Sequence, residues 1–258
     1  MSVVVPTHNE EEGVLGIVTQ LRDWLEARGR PYEIVVVDNA SEDRTVEVLE
    51  PVLDRFQVRL LRNEVNRGKG FSVRRGMLEA KGELRLLCDA DCEPSLASLG
   101  RMVQAMGDAD VVAGSRVVEG AYVAQTQPLR RRLFGWPFIA LTRVLMVEPT
   151  RDIYCGFKLW RDTAATAVFS RQRLNGWVYD AESLAMARRL GFRVREAGIV
   201  WADRKDSRLS IPRVIFPAVR ELLRARRNVR SVPRESRPTP PVAMTPAPLV
   251  SDSAEPGA

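Results

Sequence analysis

The chain has 258 residues, 45% of them hydrophobic and 28% charged, with a formal net charge of +6. These values exclude wholesale disorder, collagen and a disulfide scaffold, and the length suits one large core or two small ones. Three cysteines, Cys88, Cys92 and Cys155, with one distant histidine, His8, argue against a structural zinc cluster and read as reduced thiols of a cytoplasm-like compartment.

The chain starts on an apolar run, Val3–Val5, with no charged leader before it, so no secretion signal is read. Further β-branched or apolar runs follow at Ile34–Val37, Val58–Leu61, Leu84–Cys88 and Val111–Ala113. Helical patterns lie between them, near 11–28, 43–54, 69–80 and 95–106. Strands apolar on both faces and joined by helices predict an α/β fold with a mostly parallel sheet. Ligands of such sheets bind at the carboxyl ends of the strands. Polar and acidic residues recur at that edge: Pro6-Thr7-His8-Asn9-Glu10-Glu11, Asp38-Asn39-Ala40-Ser41, Asp89-Ala90-Asp91 and Gly114-Ser115-Arg116.

The second half is less regular. Residues 128–147 read as a helix rich in large apolar side chains with Arg130, Arg131 and Arg132 at its start, and 179–190 as another helix. Residues 211–230 read as a basic amphipathic helix that Pro217 bends or starts. Arg204 to Arg230 hold nine basic residues against Asp206 and Glu221, a net of +7. Such a patch attracts phosphate or anionic lipid, and is otherwise a solvated face. No run of about 18 apolar residues predicts a membrane-crossing helix. Residues 231–258 carry seven of the 16 prolines and are expected to be a disordered tail. The expected folded unit is therefore 1–230, with the regular half at 1–115 and the less regular half at 116–230.

Asp89-Ala90-Asp91 is the most specific element. Alone, such a tripeptide is equally a helix-capping turn. Just past the fourth strand, beside the other polar strand ends, its two carboxylates form a hard-oxygen site for Mg²⁺ or Mn²⁺ whose remaining ligands would be substrate phosphates. Asp38 ends the second strand, where α/β nucleotide sites place an acid, although a capping role also explains it. Asn66-Arg67-Gly68-Lys69-Gly70 opens a helix with glycines and a cation, suited to a diphosphate, and is not a P-loop.

Together these segments resemble the successive motifs of a family 2 glycosyltransferase with the GT-A fold. Arg151-Asp152-Ile153-Tyr154-Cys155-Gly156-Phe157-Lys158 and Gly176-Trp177-Val178-Tyr179-Asp180-Ala181-Glu182 resemble its dolichyl-phosphate β-glucosyltransferase branch, as do Trp201 and Ser207-Arg208-Leu209. The resemblance spans roughly 2–230 and implies a nucleotide-sugar-binding half at 1–115 and an acceptor and membrane-facing half at 116–230. His8, Asn39, Ala40, Asp206 and Arg208 depart from the usual pattern, in which Asp-Gly stands for Asn39-Ala40. The resemblance implies an inverting transfer of glucose from UDP-glucose to a polyprenyl or dolichyl phosphate. It implies donor binding by Pro6, Thr7, Asn9, Glu10, Asp38, Lys69 and Asp89, and Mg²⁺ or Mn²⁺ on Asp89 and Asp91. It further implies catalytic carboxylates among Asp152, Asp180 and Glu182, with Arg116, Arg130, Arg131 and Arg208 on the acceptor phosphate. A lipid-linked acceptor implies peripheral binding at the inner, cytoplasmic face of a membrane. Another donor such as GDP-mannose, or another lipid or soluble acceptor, is the alternative. A nucleic-acid module is disfavoured, because the aromatics do not interleave with the basic residues and the acidic edge repels phosphate.

Overall fold

The computed structural model describes residues 1–124, 129–146, 148–202 and 211–235, with side chains at 1–124, 137–146, 148–202 and 217–235. Its first half alternates strand and helix as the periodicity predicts. β1 (Ser2–Thr7), β2 (Glu33–Asp38), β3 (Val58–Arg62), β4 (Leu84–Cys88) and β5 (Val111–Ser115) coincide with the five apolar runs. Between them lie α1 (Val14–Glu26), α2 (Thr45–Leu49), α3 (Lys69–Glu79) and α4 (Leu99–Met106). Two helical expectations are shortened, each at a proline. Pro51 converts the end of α2 into a 3₁₀ turn, Glu50–Val52, and Pro94 opens a 3₁₀ turn, Glu93–Ser98, ahead of α4.

The second half adds β6 (Tyr122–Val123), α5 (Leu129–Met146), β7 (Phe157–Arg161), α6 (Asp162–Phe169), α7 (Tyr179–Arg189), β8 (Val194–Gly198), β9 (Val200–Trp201) and α8 (Ile211–Ser231). Pro217 lies inside α8 and does not start it. The main sheet runs β3-β2-β1-β4-β7-β5-β8, and β6 pairs with β9 in a second, small sheet. Every neighbouring pair in the main sheet is parallel except those of β7, which lies antiparallel between β4 and β5.

Alternation along each strand divides the core in two. Val4, Val35, Val37, Leu87, Val111 and Trp160 face one side, under helices α3, α6, α7 and α8. Val3, Val5, Ile34, Val36, Leu86, Val112, Phe157 and Leu159 face the other, under α1 and α4. Pro6 has no N–H to give a ladder, and β4 pairs with β1 only over Ser2–Val4, so the proline sits where that pairing has ended. The same edge of the sheet therefore collects the ends of β1, β2, β3, β4 and β5 and, because β7 runs backwards, the start of β7 as well.

Candidate active site

At the β1 and β2 end of this edge, the loops are joined by side chain to backbone hydrogen bonds. The Asn9 amide donates to Ser41 Oγ at 2.9 Å, and Asn9 Oδ1 accepts from the Glu42 amide at 2.8 Å. The Glu10 amide donates to Thr45 Oγ1 at 2.8 Å. Thr7 is buried, and its carbonyl accepts from the Asn39 amide. Asp38 is buried and accepts from the Ser41 amide, an Asx-type turn. Asn9 and Ala40 both take left-handed backbone, φ 56° and 57°. Asparagine tolerates it, but an alanine there is strained. Asn39 accepts from Asn63 Nδ2 and the Arg67 amide and donates to Asn66 Oδ1, while Asn66 Nδ2 meets His8 Nε2. Two adjoining clefts open here, of about 480 and 410 Å³. One is lined by His8, Asn9, Ser41 and Asn66, the other by Asp38, Arg62 and Asn63.

The β4 and β7 end carries the charge. The Asp89 amide donates to the Gly156 carbonyl at 3.0 Å, and the Cys92 amide closes a turn on the Asp89 carbonyl, which presents Asp91 half-buried beside it. A Cβ on Gly156 would overlap the Asp89 carboxylate outright and stand 2.9 Å from its Cβ, so only glycine leaves Asp89 its place. Lys69, first residue of α3, forms an ion pair with Asp89 Oδ2, and its ammonium lies 4.8 Å from the Trp177 ring centre. Asp89 Oδ1 is buried with no hydrogen-bond partner among the described residues. Gly68, at φ 91°, brings this turn onto the carbonyl of Asn175, where a side chain would collide.

Behind this lies Asp180, from α7, paired with Lys158 of β7 at 2.6 Å. Both are buried. Burial pushes the Asp180 carboxyl up, Lys158 and Lys69 pull it back, and the balance leaves it above the ordinary aspartate value. Burial alone would lower Lys69, but Asp89, Asp180 and Asp91 reverse this and hold its ammonium above the ordinary lysine value. Burial pushes the Cys155 thiol up to about 12, so it is no nucleophile near neutral pH.

Asp152 takes a two-pronged hydrogen bond from Arg116, Nε and Nη2 each at 2.7 Å, and a third from the Arg116 amide at 2.9 Å. Arg116 also lies over Trp201 at 5.1 Å. Glu182 is fully buried and accepts from the Arg173 and Leu174 amides and from Asn228 Nδ2 of α8 at 2.9 Å. The structure thus brings Asp89, Asp91, Lys69 and Asp180 together, pairs Asp152 with Arg116, and uses Glu182 to brace α8. Arg208 lies outside the described residues, as do the side chains of Arg130 and Arg131 in α5. Lys158, Gly156 and the Asn39–Asn63–Asn66 network carry parts of the site that residue-by-residue reading did not assign. A lysine inside the apolar run Phe-Lys-Leu-Trp was the available signal for a buried partner.

The family model described as "Glycosyl transferase family 2" matches residues 2–174. The dolichyl-phosphate beta-glucosyltransferase of Mus musculus is 32% identical over 226 residues, covering 81% of this chain and 69% of that protein. Its Homo sapiens counterpart is 30% identical, with the same coverage. Among solved structures, glucosyl-3-phosphoglycerate synthase from Mycobacterium tuberculosis, in complex with Mn²⁺, UDP-glucose and phosphoglyceric acid, superposes with a TM-score of 0.60. It is 16% identical and covers 90% of this chain and 80% of that one. Staphylococcus aureus TarS residues 1–349 with UDP-GlcNAc gives a TM-score of 0.54 at 17% identity, covering 87% and 65%. At such identities these two show the GT-A-like fold alone. The chain is thus a glycosyltransferase that belongs to glycosyl transferase family 2, with dolichyl-phosphate beta-glucosyltransferases among its sequence relatives.

Proposed function

We propose that this protein transfers glucose, with inversion, from UDP-glucose to a polyprenyl phosphate of the dolichyl type. The observation that carries the reading is the Asp89 carboxylate, held by Gly156 beside Asp91 with one buried oxygen unpartnered and Lys69 on the other. Two hard-oxygen carboxylates with an open lone pair fit Mg²⁺ or Mn²⁺ bound jointly with a diphosphate. Asp89 and Asp91 would hold it, and it would neutralise charge building on the departing nucleoside diphosphate. The relatives' names support the glucosyl donor and lipid acceptor, and the fold neighbours that bind UDP-sugars support the nucleotide.

The clefts beside Asp38, Asn9 and Ser41 are the proposed seat of the nucleoside, and Pro6, Thr7 and Glu10, at the end of β1 and in the loop after it, remain proposed donor contacts. A phosphate acceptor is already ionised near neutral pH, so it needs cations for positioning more than a general base. Arg116 suits that role. Asp152 engages two of its five N–H donors and fixes its orientation. Asp180 sits behind Lys69 and orients charge there. Arg130, Arg131 and Arg208 remain proposed acceptor-phosphate cations.

We further place the acceptor at a membrane surface. Among the described residues no helix is long and apolar enough to cross a membrane. Leu141 and Val144 of α5 and Leu223 of α8 are exposed, on two helices that pack together, and Arg143, Arg220, Arg224 and Arg227 are exposed alongside. An apolar strip rimmed by arginines suits an anionic interface such as the inner leaflet. Calorimetric titration with UDP-glucose and GDP-mannose, each with Mn²⁺, tests the donor. Tighter UDP-glucose binding is expected, and preference for GDP-mannose would overturn it.

A further inference from the structure

Lys69 already neutralises the Asp89 carboxylate, whose open oxygen, Oδ1, is the one a divalent cation would take. Its ammonium is on Asp89 Oδ2, and Asp180 is the next anion inward, because the start of α3 packs on the start of α7, where a Cβ on Gly70 would stand 2.8 Å from Tyr179 Cβ. Lys158 fixes Asp180 from beyond at 2.6 Å, and also donates to the Cys155 carbonyl. Charges therefore alternate from the cleft inward: Asp89, Lys69, Asp180, Lys158. The outer two side chains are 16% and 19% exposed, and the inner two are 5% and 1% exposed. The inner pair is locked in the core between β7 and α7. The outer pair is open to exchange.

A lysine ammonium is a compact charge on a flexible four-carbon stem, so it can change partner without moving the backbone. The backbone at the root of that stem is fixed by the Gly70 amide on the Asn175 carbonyl at 2.7 Å. Trp177 gives the ammonium an aromatic face at 4.8 Å. We propose that Lys69 is an exchangeable counter-ion: a divalent cation arriving at Asp89 and Asp91 displaces its ammonium toward Asp180, where it stays charged for the diphosphate that follows. This rests on the reading of Asp89 and Asp91 as metal carboxylates. Before the cation arrives, Lys69 keeps Asp89 from being a lone anion in a half-buried site. Afterwards, the released ammonium gives the diphosphate a second cation. The metal alone must bind against the repulsion of the ammonium on the same carboxylate, whereas the diphosphate takes up that ammonium, so each should raise the other's affinity.

The test is titration of Mn²⁺ into the full chain without nucleotide, with free Mn²⁺ followed by electron paramagnetic resonance. Lys69→Gln should bind Mn²⁺ about tenfold more tightly than wild type, about 1.4 kcal/mol. It should also lose most of the mutual enhancement between Mn²⁺ and UDP. Lys69→Arg, which keeps the charge, should not tighten Mn²⁺. Asp180→Asn should loosen Mn²⁺ in the wild-type background more than in the Lys69→Gln background, because only wild type loses the alternative anion. In the unmutated protein, the ¹⁵N ammonium resonance of Lys69 should move with Mg²⁺ and saturate, which needs no variant to fold. Unchanged or weaker Mn²⁺ binding in Lys69→Gln, strict additivity with Asp180→Asn, or an immobile Lys69 resonance would overturn the exchange while Asp91→Asn still abolishes Mn²⁺ binding. Retained Mn²⁺ binding in Asp91→Asn would overturn the metal reading itself, and the exchange with it.

Discussion

Gly156→Ala tests how tightly β7 positions Asp89, the proposed metal carboxylate. The added methyl would overlap the Asp89 carboxylate and lie 2.9 Å from Asp89 Cβ. Carbon atoms pack best at about 3.5–4.0 Å, so a new Asp89 rotamer is not enough, and the two strand ends must part by about 1 Å. Gly156 has no positive φ, so the backbone itself accepts alanine and the whole effect falls on Asp89. Overpacking of this kind costs about 1–3 kcal/mol. In a chain this size, that lowers Tm by about 2–12 °C and leaves the protein folded at 25 °C. A displacement of about 1 Å in a catalytic group reduces turnover about 100-fold. Release of UDP from UDP-glucose, measured at saturating Mn²⁺ beside calorimetric melting, separates the two effects. Wild-type kcat/KM in a Gly156→Ala protein would refute the claim that the Asp89 position is tied to Gly156.

Lys158→Met leaves Asp180 buried without its partner and should destabilise by about 3–5 kcal/mol in urea unfolding, with Asp180→Asn in the same chain restoring part of the loss. A loss below 1 kcal/mol would contradict the locked inner pair. Ala40→Gly relieves left-handed strain at φ 57° and should stabilise by up to about 1 kcal/mol, seen as a rise in Tm of about 2–4 °C. An unchanged Tm would show the turn is unstrained. Burial alone would raise the Glu33 carboxyl, but hydrogen bonds from Ser2 and the Lys81 amide and the charge of Arg59 lower it overall. Its contribution to stability is therefore present above the ordinary value of 4.5 and fades as pH falls through the lowered one. Glu33→Gln should be less stable than wild type at pH 7 and converge with it in acid. A gap that persists at pH 2 would contradict the sign.

The first half of the fold is legible in the sequence because parallel strands buried on both faces read as unbroken apolar runs, and the five runs match β1 to β5 within a few residues. Their polar followers, Asp38, Asp89 and Asp91 among them, lie at one edge of the sheet. β7 escaped because Phe157-Lys158-Leu159-Trp160-Arg161 alternates apolar and basic residues, the pattern of a half-exposed strand. In the fold both its faces are covered, and Lys158 is neutralised by Asp180, a partner 22 residues away that no local period announces. Glu182 illustrates the opposite case. It stands two residues from Asp180 in the same motif, about 200° round the helix, and this rotation sends its carboxylate to the Arg173 and Leu174 amides and to α8. Asn39, where the family pattern has an acid, gains its role from Asn63 and Asn66, which β3 and the α3 approach bring beside it.

The central claim concerns where the sugar goes. Radiolabelled UDP-glucose, incubated with the protein, Mn²⁺ and polyprenyl phosphate in anionic phospholipid vesicles, followed by organic extraction, measures it directly. The account predicts label in the organic phase in step with UDP release, dependent on polyprenyl phosphate and lost with EDTA or in Asp91→Asn. Label that stays in the aqueous phase with polyprenyl phosphate present, yet moves onto a water-soluble phosphorylated acceptor, would contradict it.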